Sequence, residues 1–130
     1  MKFDRTGIIL YVTRYEACID FYQHKLGLDI LFANEVLTCF AFGASYLMVE
    51  KDDEYFLQGG DGERIKSCLR MNVPNVKALA DQLSQKGVEV NYIEADWGTV
   101  AKFFDPEGNL CAFKDSPKFE EQVASKKQKG

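Results

Sequence analysis

Apolar residues recur along this chain with two alternating periods. Residues 7–13 form a β-branched and aromatic run of strand length. Tyr15, Cys18, Ile19, Tyr22 and Leu26 then fall at i, i+3, i+4, i+7 and i+11, the spacing of one helix face over residues 14–25. Leu26-Gly27-Leu28 closes that helix, since Gly27 is free to take a left-handed cap conformation. Three strands are expected next, at 29–33, 36–42 and 46–50, separated by Asn34-Glu35 and Gly43-Ala44-Ser45.

The same order returns later. Residues 51–64 are charged and glycine-rich and read as a connector exposed to water. Residues 65–73 read as a strand, and Val76, Leu79, Ala80 and Leu83 mark an amphipathic helix that Lys86-Gly87 ends. Strands at 88–93, 99–104 and 110–114 complete the second unit. The expected fold is α+β: two tandem βαβββ units, about 5–50 and 65–115, in a single domain over 1–115. Their helices cover one face of a curved mixed sheet, and the other face forms the wall of an open cup. Residues 116–130 carry few apolar side chains after Phe119 and are expected to be a polar tail that frays or packs loosely as a short helix.

Composition narrows the partners. One domain of 130 residues with 46% hydrophobic content can bury a substantial core. A net charge of -4 argues against nucleic acid or an anionic membrane as the main partner, because both require clustered cations. A neutral or cationic ligand fits that balance better. The beginning of the chain does not resemble a signal peptide and no stretch has the length of a membrane span, so a cytoplasmic location is expected. Cys18, Cys39, Cys68 and Cys111 are widely spaced and contain no Cys-x-x-Cys pair; they read as reduced, buried, small apolar residues.

Tyr11-Val12, Phe21-Tyr22 and Leu26-Gly27-Leu28, followed by Trp97-Gly98 and the turn Asp105-Pro106-Glu107-Gly108-Asn109, occur in an order that resembles the vicinal oxygen chelate superfamily. This superfamily comprises glyoxalases, bleomycin resistance proteins and extradiol dioxygenases. Locally these residues have simpler roles as well: Phe21 and Tyr22 as core contacts, Asp105 as an Asx-turn former, and Gly108 or Asn109 as the positive-φ turn residue. The resemblance implies a divalent metal held in the cup by His, Gln or Glu from four strands. The corresponding positions here are Gly7, Met48, Cys68 and Ala112, and none is a histidine or carboxylate.

Strand alternation tests the same point independently. If Gly7 faces the cup, so do Ile9 and Tyr11; Met48 brings Tyr46 and Glu50, Cys68 brings Arg70 and Asn72, and Ala112 brings Leu110 and Lys114. Catalytic metals take about three N, O or S ligands, and only Cys68 and Glu50 qualify on this face. His24, the single histidine, lies near the end of the first helix, where a solvated or dipole-stabilising role is expected. Neither a catalytic residue nor a cofactor is called for.

Among metal-free members, the resemblance is closest to bleomycin resistance proteins, acidic dimers that sequester a cationic drug unchanged. It implies a homodimer and an aromatic cleft in which Trp97 and Phe32 sandwich a planar ligand. The plainer alternative leaves Phe32 in the core and Trp97 capping a hairpin. The expected function is therefore metal-free binding of a planar or cationic small molecule, with Phe32, Tyr46, Met48, Glu50, Cys68, Arg70, Trp97 and Ala112 as the binding face. The alternatives are a divergent metal-dependent lyase or oxidoreductase, and a domain that has kept the fold but filled its pocket.

Overall fold

The computed structural model describes residues 1–52 and 66–129, with the side chains of the last helix described to residue 125. Most of the connector expected at 51–64 lies outside the described residues.

The first unit runs β1 (Arg5–Val12), α1 (Tyr15–Asp20), β2 (Ile30–Ala33), β3 (Leu37–Phe42) and β4 (Ser45–Lys51). The helix continues past Asp20 as a π turn at Phe21–Lys25, where Leu26 N–H donates to the Phe21 carbonyl at 2.9 Å. The second unit runs β5 (Ser67–Val73), α2 (Val76–Gln85), β6 (Asn91–Ala95), β7 (Gly98–Phe104) and β8 (Leu110–Asp115). The strand expected from residue 88 starts at Asn91 instead. Gly87 adopts φ 88 and Val88 N–H bonds back to the Leu83 carbonyl at 3.0 Å, so the helix cap takes up these residues.

One eight-stranded sheet results, in the order β2-β3-β4-β1-β5-β8-β7-β6. Within the first unit β1 pairs parallel with β4, within the second β5 pairs parallel with β8, and β1 joins β5 antiparallel at the centre. This is the expected α+β architecture of two βαβββ units.

Both predicted helices pack on the convex face. The first covers Phe40, Leu47 and Val49 through Tyr15, Cys18, Ile19 and Tyr22, and α2 covers Val73, Ala101 and Phe113 through Val76 and Ala80. Asn75 caps α2 by accepting from Ala78 N–H at 3.1 Å. The β7–β8 turn is held by Asp105, whose Oδ1 accepts from the Glu107 and Asn109 backbone N–H groups, both at 2.9 Å. Gly108 is the residue with positive φ, at 88°. No helix among the described residues is long and apolar enough to cross a membrane.

The last segment, expected to fray or to pack loosely as a short helix, forms the helix α3 (Ser116–Lys129), which is longer and docks on the concave face with Phe119 in the core. Asp115 caps it, its Oδ1 accepting from Lys118 N–H at 2.8 Å, while Ser116 Oγ donates to Asp4 Oδ2 at 2.6 Å. Arg5 forks onto Glu120 with contacts of 2.6 and 3.2 Å. Among the described side chains of α3, Phe119 and Val123, one helical turn apart, enter the core, and a two-residue apolar stripe gives little periodic signal in sequence.

Candidate functional site

The pairing registers place the cup-facing residues in rows across the sheet. One row runs Tyr46, Gly7, Arg70, Ala112 and Lys102, drawn from β4, β1, β5, β8 and β7. The next contains Met48, Ile9 and Cys68, and on the other side Asn72 pairs with Lys114 and Lys114 with Val100. The alternation inferred for β1, β4, β5 and β8 is therefore the one observed.

At the Gly7 end the cup is filled. A Cβ added at Gly7 would collide with the Tyr46 ring, so the absence of a side chain there makes room for that ring. The Tyr46 hydroxyl donates to Asn72 Oδ1 at 2.6 Å, and its ring meets Phe119 at a centroid distance of 4.5 Å. Phe119 also meets Phe32 edge to face at 5.3 Å. Burial pushes the Tyr46 phenol well above its usual range and raises the Cys39 and Cys68 thiols to about 12 and about 11, partly offset in each case by the positive charge of Arg70. Cys68 is thus a protonated, buried thiol at neutral pH, which removes the basis for a reactive nucleophile.

The other end is open. A cavity of about 390 Å³ lies there. Of the residues expected to bind ligand, Phe32, Met48, Glu50, Arg70 and Trp97 line it together. Tyr46, Cys68 and Ala112 do not line it; they belong to the buried cluster beside it. Trp97 is 52% exposed at the rim, whereas Phe32 is almost wholly covered. Tyr11, Lys102 and Lys114 also line the cavity. Alternation had put Tyr11 and Lys114 on this face, and the same rule applied to β7 places Lys102 beside Ala112.

Lys114 is held where Trp97-Gly98 bends the chain. Its Nζ donates to the Trp97 carbonyl at 3.1 Å, lies 4.9 Å from the indole centroid and stands 3.7 Å from Asp115 Oδ2. Asp115 Oδ2 also accepts from Thr99 N–H at 2.5 Å, tying α3 to the hairpin. Burial lowers the Lys114 pKa from 10.5 to about 8, with Asp115 working against the shift. A lysine lowered in the folded state is harder to protonate there than in the unfolded chain. Its charging therefore costs stability in full below pH 8, and the cost fades as pH rises to 10.5. Relative to Lys114→Met, the native chain should gain about 2–3 kcal/mol between pH 8 and 10.5 at about 1.4 kcal/mol per unit. Parallel urea melts at several pH values check this, because the raised cysteines and Tyr46 act alike in both proteins; a pH-independent difference would rule it out.

The donor set does not fit the divalent metal expected from the resemblance. Gly7 and Ala112 offer no side-chain donor, Met48 offers a thioether, and Cys68 is held protonated. Arg70 and Lys102 flank Ala112 on the ladder and would repel a dication. No group of three His, Cys, Asp or Glu residues able to hold a metal occurs among the described residues. His24 sits on the exposed helix, bonded to Asp20 at 3.0 Å.

Comparison with known proteins agrees with this fold. The family model of the Glyoxalase/Bleomycin resistance protein/Dioxygenase superfamily matches residues 2–113, and the chain belongs to that superfamily. The match stops before α3. Similar solved structures include an NAD-dependent benzaldehyde dehydrogenase from Legionella pneumophila, at 16% identity over 85% of this chain and 97% of that one, with a TM-score of 0.70. A glyoxalase/bleomycin resistance protein/dioxygenase superfamily member from Vibrio splendidus 12B01 has 16% identity over 86% and 98%, with a TM-score of 0.61. Methylmalonyl-CoA epimerase from Mycobacterium tuberculosis has 18% identity over 92% and 91%, with a TM-score of 0.57. At such identities the likeness is one of fold. Comparison with curated protein sequences gives no significant match.

Proposed function

We propose that this protein binds a small planar organic molecule in the open half of its cup, without the superfamily's metal-centred chemistry. The observation that carries this reading is the set of side chains at the four metal positions. Gly7, Met48, Cys68 and Ala112 leave no ligand set, and the Tyr46 ring takes the space beside Gly7. What remains is a cavity of drug-like size lined by aromatic and apolar groups with a few charges, the usual make-up of a small-molecule site. Trp97, exposed at its rim, offers one indole face while Lys114 lies against the ring from within.

Phe32 lines the same cavity but already packs on Phe119, so its part is to shape the floor. Sequestration of a bulky cationic drug of the bleomycin type is a narrower form of the reading. Among the described residues three cations line the cavity and oppose it, against one lining acid, Glu50.

Titration with 2-naphthamide, a planar neutral probe, should quench Trp97 fluorescence saturably, with no turnover of the probe. Calorimetry with Zn²⁺, Ni²⁺ and Mn²⁺ should show no stoichiometric site at micromolar concentration. Unchanged fluorescence at millimolar probe would remove the binding assignment, and one tightly bound metal per chain would restore the metal-dependent alternative.

A further inference from the structure

The cup's second half carries a cluster of positive charge around a small residue. Arg70 on β5 and Lys102 on β7 each pair with Ala112 on the intervening β8. Strands lie about 4.8 Å apart, so the two backbones stand roughly 10 Å from one another, with the buried Ala112 in the row between them. Both side chains line the cavity, and Lys114, two residues beyond Ala112 on the same face, lines it too. Glu50 stands on β4, on the first unit's side of the cup, separated from β7 by β1, β5 and β8. The cavity is thus polarised, positive at the second unit and negative at the first.

The cations differ in how far the protein satisfies them. Lys114 is engaged by the Trp97 carbonyl and by Asp115. Arg70 forms no ion pair among the described residues, and its Nε is buried without a hydrogen-bond partner. Lys102 also forms no ion pair among the described residues. A buried guanidinium N–H left without an acceptor costs on the order of 1–3 kcal/mol or more, and a ligand acceptor would recover that cost.

Resting on the small-molecule reading above, we infer that the ligand is an anion whose carboxylate or phosphate group seats in the cavity between Arg70 and Lys102, its planar body extending toward Trp97. The guanidinium presents a planar pair of N–H groups that suits an oxyanion, and Lys102 supplies a second point charge. Fixed side-chain cations thereby stand beside the position where a superfamily enzyme is expected to carry a metal-binding glutamate. The acidic net charge of the whole chain points toward a cationic ligand, but the charges on the cavity wall, in low dielectric and at contact distance, outweigh the screened surface.

The experiment compares three probes of one shape by Trp97 fluorescence and calorimetry at pH 7: 2-naphthoate, 2-naphthamide and naphthylmethylammonium. The expected order is naphthoate tightest, by at least tenfold over the amide, and the ammonium weakest. Arg70→Met and Lys102→Met should each weaken naphthoate about tenfold and the amide by much less, with urea melts verifying that the variants fold. Running 2-naphthyl phosphate in parallel separates the two sources: tighter binding than naphthoate assigns a phosphate ligand, and weaker binding a carboxylate. Equal affinity for naphthoate and amide, or a preference for the ammonium, overturns the anion seat while the cleft reading stands. If no probe binds, both fail.

Discussion

Phe119→Ala is expected to cost about 3–5 kcal/mol of folding stability, the range for removing a buried phenylalanine. The ring is fully buried and packs between Tyr46 at 4.5 Å and Phe32 at 5.3 Å, with the Arg5 guanidinium 5.9 Å from its centroid. Deleting it leaves a cavity on the concave face that joins the existing one, because Phe32 lines both. Urea denaturation should therefore show a lower midpoint, and the variant should accept planar probes larger than naphthalene. A loosely packed tail would make the substitution nearly neutral. A change below 1 kcal/mol with unchanged probe selectivity would show that α3 does not occupy the cup in solution.

Gly98→Ala should cost about 4 kcal/mol, for two separable reasons. Gly98 has φ 136, a conformation that L side chains rarely adopt. In addition, a Cβ there would collide with Lys114 Nζ and come within 2.8 Å of Asp115 Oδ2. The collision displaces the ammonium that donates to the Trp97 carbonyl, and with it the link between the hairpin and α3. Combining Gly98→Ala with Lys114→Met should recover the steric part and leave the backbone part. The cycle should thus yield a coupling above 1 kcal/mol in chemical denaturation. Strict additivity would mean that Lys114 does not lie against Gly98.

The Trp-Gly pair shows how far local sequence could be read. As a motif it marked the fold, and Trp97 stood out as a candidate ligand contact. Its glycine, however, is needed because of a lysine sixteen residues further on, and sequence spacing does not report that contact. Tyr46 is a similar case: alternation placed it on the cup face opposite Gly7, but only the packed structure shows its ring filling the space next to that glycine.

Arg70 and Lys102 belong to strands that are neither adjacent in sequence nor direct neighbours in the sheet. Their convergence depends on β8 inserting between them. Until that strand order is known, two lysines and an arginine scattered over 45 residues look like ordinary surface charge in an acidic chain, which is why net charge alone favoured a neutral or cationic ligand. The docking of α3 in the cup escaped notice for a related reason: its polar face dominates the composition, and among the described side chains one aromatic ring and one valine attach it to the core.

The elements, their order and the face presented by each central strand follow from periods of 2 and 3.6 residues, because burial on one side of a strand or helix imposes those periods locally. The metal positions came from the family resemblance, and alternation within each strand then named the neighbours that share their face. Which residues meet across the cup, what fills one half of it and the sign of the charge lining the other half depend on strand order and on where α3 docks. Those are contacts between segments distant along the chain, set by packing, for which no local pattern of side chains exists.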